Sequence, residues 1–291
     1  RFPLWYHLER EAQAMDIARQ ITEGTPYPIR AVFACGMNAR MFPDTEYVKE
    51  ALKKLDFFVD ADLFLTDTAK YADIVLPACS SFERGEFKTY PGGYATYTEP
   101  VIPPLGQSKS DADILCELAG YLDLDDPLLR SGYENCVREM IRDLSVTVEE
   151  LKAADLPVLV PEREPYVEGA YIEGGMDTPS GKFELDSLVI QAHPEWGLDS
   201  LPTYRCSLNQ ADETDYPFIL CAGARIPHAL HSRLHDVPWL RSLRPEPEAD
   251  LALCDAERLG IKKGDKIQLF TAVGSIEVKA NPTARVLPGM V

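Results

Sequence analysis

Three short, uninterrupted apolar runs constrain this chain more than any other feature: Ala31-Val32-Phe33-Ala34-Cys35, Phe57-Phe58-Val59 and Ile74-Val75-Leu76. A strand with one solvated face alternates apolar and polar residues, whereas a continuous run belongs to a strand covered on both faces, as in parallel sheets. A stretch with helical spacing, from about Thr45 to Leu55 with Asp44 as its cap, separates the first two runs. Strand, helix and strand in that order predict a doubly wound α/β fold, whose ligands bind at the carboxyl ends of the strands.

Around this nucleus, Leu8, Ala12, Met15, Ala18 and Ile21 recur at helical spacing between Trp5 and Glu23, and Gly24, Pro26 and Pro28 close the segment. One amphipathic helix is expected there. Residues 77–109 are rich in Gly, Pro, Tyr and Ser and too long for an ordinary connection, which marks a functional loop or one wrapped over part of a larger protein. Helix starts are expected where Ser110 precedes Asp113, Ser131 precedes Glu134 and Thr147 precedes Glu150, each at capping-box spacing. Further on, a strand from Phe218 to Ala222, a helix from Asp255 to Leu259 stopped by Gly260, and a hairpin of Lys266 to Thr271 with Ser275 to Ala280 predict a mostly β, barrel-like second domain. The expected organisation is a Rossmann-like domain over 1–130, a connecting segment over 131–205 and the β domain over 206–291.

The formal charge of -18 repels nucleic acid and anionic lipid, so neither is an expected partner. An anionic cofactor is still compatible, because a few main-chain N–H groups and one or two basic side chains overcome that field inside a pocket. No apolar stretch reaches membrane-spanning length, so direct membrane insertion is not expected. The seven cysteines, at 35, 79, 116, 136, 206, 221 and 254, form no C-x-x-C pair, which argues against zinc or an iron–sulfur cluster held by this chain. They read as reduced, mostly buried thiols. Arg1-Phe2-Pro3 carries no initiator Met, and Pro288-Gly289-Met290-Val291 ends on the opening of an apolar run, so the sequence reads as the interior of a longer protein.

Three segments are candidates for chemistry. Gly36-Met37-Asn38 follows the first strand, where glycine lets the backbone approach a phosphate, although a Gly after a strand is also the ordinary mark of a turn. Asp60 to Thr68 follows the second. There a carboxylate can accept from a ribose diol or from the N1–H and N2–H edge of guanine, and the same pattern also describes a solvated acidic loop with helix caps. Gly223 to Arg233 carries His228, His231, Arg225 and Arg233, a basic island in an acidic chain that suits an anion or a surface helix balanced by nearby acids. No H-E-x-x-H, G-x-S-x-G, Walker phosphate loop or G-x-G-x-x-G is present, which weakens zinc protease, hydrolase, P-loop and ordinary nicotinamide readings.

The separated runs Gly36-Met37-Asn38 with Pro43, Asp62 to Ala69, Ala72 to Pro77 with Glu83, Lys109-Ser110-Asp111, Thr178 to Glu184, Arg225 with His228 and Ser232, and Asp255 to Ile261 with Gly264-Asp265 stand in a fixed order. In that order the chain resembles the catalytic subunits of the molybdopterin oxidoreductases of the dimethyl sulfoxide reductase family, over essentially its whole length. The resemblance implies a Rossmann-like domain followed by a double-psi β-barrel, both holding bis(molybdopterin guanine dinucleotide) with molybdenum or tungsten. By position it implies that Gly36 and Asn38 lie near phosphate and sugar, Asp62 on guanine or ribose with Thr66 beside it, and Gly223, Arg225, His228 and Ser232 on the second pterin nucleotide. Ala72 to Pro77 is expected as core strand and Thr178 to Glu184 as a turn entering a strand. The family's [4Fe-4S] cysteine motif and its metal ligand belong to earlier sequence, and an electron-transfer subunit is the expected partner of the whole protein. No catalytic residue is expected in this chain, nor activity from it alone. Two alternatives share the architecture: the large peripheral-arm subunit of respiratory complex I, which lacks the pterin, and a non-redox hydratase that keeps it.

Overall fold

The apolar runs pair side by side, as β1 (Ala31–Cys35), β2 (Phe57–Asp62) and β3 (Ile74–Pro77) of a parallel sheet with β2 in the centre. The computed structural model describes residues 2–160, 168–205, 214–222, 226, 228, 234–272 and 274–291. It divides into two units, Arg1–Pro202 and Thr203–Val291, and mixes parallel with antiparallel sheets.

In the first unit, α1 (Pro3–Glu9) and α2 (Ile17–Glu23) precede β1, and α3 (Thr45–Leu52) joins β1 to β2, with Asp44 accepting from the Tyr47 N–H as its cap. One sheet face is covered. Ala34 and Phe58 meet Ala18 and Ile21 of α2 and Val48, Ala51 and Leu52 of α3, and each large side chain so buried contributes about 1.5–3 kcal/mol. On the other face Phe33, Phe57 and Ile74 are 37–45% exposed. Val59 and Ala61 on that face are nonetheless buried, so the apolar runs reflect two hydrophobic faces, one packed by helices and the other covered in part among the described residues, and β3 is an edge strand instead of the expected core strand. The expected single helix from Trp5 to Glu23 is two, because Arg10 turns left-handed (φ 59°) where Glu9 to Gln13 offer almost nothing apolar to bury.

The long segment after β3 is not a plain loop. It contains β4 (Glu86–Tyr90) and β5 (Tyr94–Thr98), an antiparallel hairpin turning at Pro91-Gly92-Gly93, where both glycines have positive φ. Glu83 staples the connection from β3: its carboxylate accepts from the N–H groups of Ser80 (2.8 Å) and Leu105 (2.7 Å) and from the Ser108 hydroxyl (3.1 Å). α4 (Asp111–Tyr121) starts at Ser110, whose hydroxyl accepts from the Asp113 N–H. α5 (Pro127–Arg130), α6 (Tyr133–Met140) and α7 (Val148–Ala153) follow, and β6 (Val158–Leu159) pairs with β5. Thr147 and Glu150 form the expected reciprocal capping box. Ser131 does not, because its hydroxyl closes α5 on the Leu128 carbonyl and Gly132 caps α6 instead. Ala95, Tyr97, Val137, Ile141, Val148 and Leu151 share a second core, so part of the expected connecting segment is packed against the hairpin. α8 (Ala170–Gly174) and α9 (Leu188–Gln191) complete the unit. The turn at Thr178 to Gly181 forms, but no strand follows it.

In the second unit, α10 (Pro238–Arg241) precedes β7 (Glu248–Ala252), α11 (Leu253–Leu259), β8 (Lys266–Thr271) and β9 (Gly274–Thr283). β9 lies in the centre, parallel to β7 and antiparallel to β8, so the expected hairpin is present. Gly260 ends α11 in the left-handed conformation (φ 69°), and Leu251, Ala256 and Ala280 form a small core. Among the described residues the expected strand at 218–222 is reduced to one bridge, Ile219 to Met290, with backbone hydrogen bonds to Gly289 and Val291. Among the described free cysteines only Cys79 is buried, while Cys35, Cys221 and Cys254 are exposed, which corrects the expectation of mostly buried thiols. No described helix is long and apolar enough to cross a membrane.

Candidate functional site

The carboxyl ends of β1 and β2 carry the first two candidate segments, and parallel pairing sets them side by side, with Cys35 opposite Ala61. Gly36 has φ +64°, a conformation that favours glycine, and a Cβ there would touch nothing within 4 Å. Backbone geometry, not crowding, therefore requires glycine at this position, and the turn faces open space. Its N–H donates to the Ala61 carbonyl (2.9 Å), which ties the turn to β2.

Two further contacts join the loops. The buried Thr68 hydroxyl accepts from the Ala39 N–H (2.9 Å), and Arg40 pairs with Asp67. Within this frame the Asn38 side-chain oxygen accepts from the Arg40 N–H (3.0 Å), Asp62 Oδ1 from the Leu63 N–H (2.6 Å), and the Thr66 hydroxyl from the Ala69 N–H (3.2 Å). Each bond uses one acceptor atom and fixes the side chain. The Asn38 NH2, the second Asp62 oxygen and the Thr66 O–H proton have not been used by these bonds. Leu63, Phe64 and Leu65 stand exposed on the same loop, Phe64 by 76%. The donor and acceptor set, with an apolar ledge beside it, fits a nucleotide: a base edge, hydroxyls and phosphate.

Asp60, two residues before Asp62 and on the same side of β2, opens the second candidate segment, but the sequence assigned it no role of its own. It is fully buried, and neither carboxylate oxygen has a hydrogen-bond partner among the described residues. Burial, and secondarily the negative charge of Asp62, push its carboxyl up to about 6. Its burial depends on which face of the sheet the helices cover, which the local sequence does not tell. The Cys35 thiol is also pushed up, by desolvation and then by the negative charges of Asp111 and Asp60. The described residues hold no group of three or more His, Cys, Asp or Glu able to bind a metal.

The basic island of the second unit is described only in part. His228 is half-buried in a turn, while Gly223, Arg225 and Ser232 lie outside the described residues.

Comparison with known proteins decides the family. The sequence model described as "Molybdopterin oxidoreductase" matches residues 10–121, and that described as "Molydopterin dinucleotide binding domain" matches residues 218–291. The chain belongs to the molybdopterin oxidoreductase family. It is 32% identical over 280 residues to the probable oxidoreductase YoaE of Bacillus subtilis, covering 94% of this chain and 40% of that protein. It is 27% identical over 266 residues to the dimethyl sulfoxide reductase DmsA of Escherichia coli, covering 82% of this chain and 32% of that protein. The solved structure of acetylene hydratase from Pelobacter acetylenicus superposes with a TM-score of 0.82 at 26% identity, covering 94% of this chain and 38% of that one. The chain thus spans only 32–40% of the length of these relatives.

Proposed function

We propose that this chain is part of the cofactor-gripping scaffold of a molybdenum or tungsten bis(molybdopterin guanine dinucleotide) oxidoreductase. The observation that carries this reading is the pair of tied loops at the carboxyl ends of β1 and β2, in a chain whose residues 218–291 match a dinucleotide-binding model. When bound, the metal–pterin group supplies the redox chemistry, and the protein supplies binding, orientation and electrostatics.

In the first unit, Asp62 is suited to accept from the N1–H and N2–H edge of guanine, and Asn38 and Thr66 to donate to ribose or phosphate oxygens. Gly36 lets main chain approach the phosphates without a side chain in the way. In the second unit, which we read as part of a double-psi β-barrel, Gly223, Arg225, His228 and Ser232 serve the second nucleotide, with Arg225 and His228 offsetting its negative charge. The proposed domains keep the boundaries 1–130, 131–205 and 206–291. In the whole protein we assign the [4Fe-4S] cluster and the metal ligand to sequence outside this chain and expect an electron-transfer subunit as partner; the chain is not expected to turn over substrate alone.

The likeness to acetylene hydratase supports a second reading, a hydratase that keeps the cofactor and performs no net redox reaction. Metal analysis and GMP release by acid hydrolysis of the full-length protein test the scaffold: metal with about two GMP per chain is expected. Protein containing neither would point to the cofactor-less architecture instead. Reduction of the protein coupled to turnover separates oxidoreductase from hydratase.

A further inference from the structure

A cavity of about 310 Å³ opens in the first unit between the loop before β4, strand β5 and the starts of α4 and α6. Its volume is at the lower end of ligand pockets. It uses none of the residues assigned to the nucleotide loops.

Several of its lining groups are donors with hydrogen-bonding capacity to spare. Tyr97 is 8% exposed and its hydroxyl has no partner among the described residues; the hydroxyl lies beside Gly85, where a Cβ would come within 2.9 Å of it. The Tyr133 hydroxyl accepts from the Phe87 N–H (3.0 Å), which leaves its own proton free to donate. Arg84 is held loosely, 3.7 Å from Glu86, 3.9 Å from Asp111 and 3.4 Å from the Cys79 carbonyl, so its guanidinium retains donors. Gly132 caps α6 with no side chain to accept from the first-turn N–H groups, which leaves the positive end of that helix facing the cavity. At the wall both Glu134 oxygens are engaged, by Arg138 and Lys152, and Asp113 Oδ2 accepts from the Ser110 hydroxyl.

We propose that this cavity binds a small oxyanion-bearing ligand, a phosphate or carboxylate, held by Arg84, the two phenols and the start of α6. The Tyr97 hydroxyl carries the argument: it is held on a buried side chain at the cavity wall without an acceptor among the described residues, and an acceptor-rich ligand would take its hydrogen bond.

Thermal unfolding and isothermal titration calorimetry of the full-length protein test it, with inorganic phosphate and with succinate, each against sodium chloride at equal ionic strength. One of the two is expected to raise Tm by about 2–4 °C beyond chloride at saturation, and which one does so identifies the headgroup. Arg84→Gln abolishes the shift, and Tyr97→Phe weakens binding about tenfold while leaving Tm without ligand unchanged or higher, since its hydroxyl has no internal partner among the described residues. Molybdenum content is unchanged in both variants. No specific shift with either anion, a shift retained in Arg84→Gln, a Tyr97→Phe protein that is less stable without ligand, or loss of molybdenum in either variant overturns the proposal.

Discussion

Two buried carboxylates in the first unit have opposite surroundings. Glu83, in the loop ahead of the β4–β5 hairpin, accepts from three donors and is held at about 2 by hydrogen bonds from Ser80 and then Leu105. Asp60, at the centre of the parallel sheet, accepts from none among the described residues and is pushed up to about 6 by burial. The first is a structural staple whose ionised form the fold selects. The second is a destabilising residue beneath the loops assigned to the nucleotide, where a protein commonly gives up stability for function. The difference teaches where the fold is optimised for itself and where it is not.

The comparison can be broken at its strong end first. Glu83→Ala leaves Ser80, Leu105 and Ser108 donors without their acceptor, and should give the largest fall in Tm of the variants considered, on the order of 5–10 °C. Because the folded carboxyl lies below its ordinary 4.5, its contribution is present in full above 4.5 and is lost as pH falls toward about 2. Acid unfolding of Glu83→Gln should lack that component; identical acid profiles would contradict the staple.

Asp60 should behave in the opposite sense. Its folded carboxyl lies above the ordinary 3.8, so the penalty is absent below that value, grows as pH rises toward about 6 and is complete beyond it. Asp60→Asn should therefore stabilise the protein at pH 7 by about 1–3 kcal/mol in urea unfolding. Destabilisation instead would reveal a donor that serves the carboxylate.

Smaller effects sharpen the division. Thr68→Val removes the acceptor for the Ala39 N–H and should cost about 1–2 kcal/mol, together with a measurable loss of bound molybdenum because the buried one of the ties between the two loops is lost. Thr147→Ala breaks the capping box of α7 and should cost about 1 kcal/mol, with metal content unchanged. If both variants lose stability and neither loses metal, the tie between the loops has no bearing on the cofactor.

Much of the fold was legible because period and caps are local signals. The apolar runs located β1 to β3, Asp44 and Ser110 marked the starts of α3 and α4, and Gly260 the end of α11. The β4–β5 hairpin was missed although Phe87 and Tyr97 alternate with polar neighbours around Pro91-Gly92-Gly93, because an aromatic and glycine-rich composition resembles an irregular loop. Ser131 shows the limit of spacing: the same three-residue interval exists, but its hydroxyl closes the preceding helix. In the candidate site, position after a strand picked out the segments, while Gly36, Asn38, Asp62 and Thr66 were singled out within them by the family resemblance. The burial of Asp60 and the tie made by Thr68 could be read from neither, since both depend on which face of the sheet the helices cover.

The central claim is tested most directly by counting molybdenum or tungsten and GMP per chain in the full-length protein and in its Asn38→Ala, Asp62→Ala double variant. The account predicts that metal and GMP fall together, severalfold, while the secondary structure seen by circular dichroism is retained. Wild-type amounts of both in the double variant would contradict it.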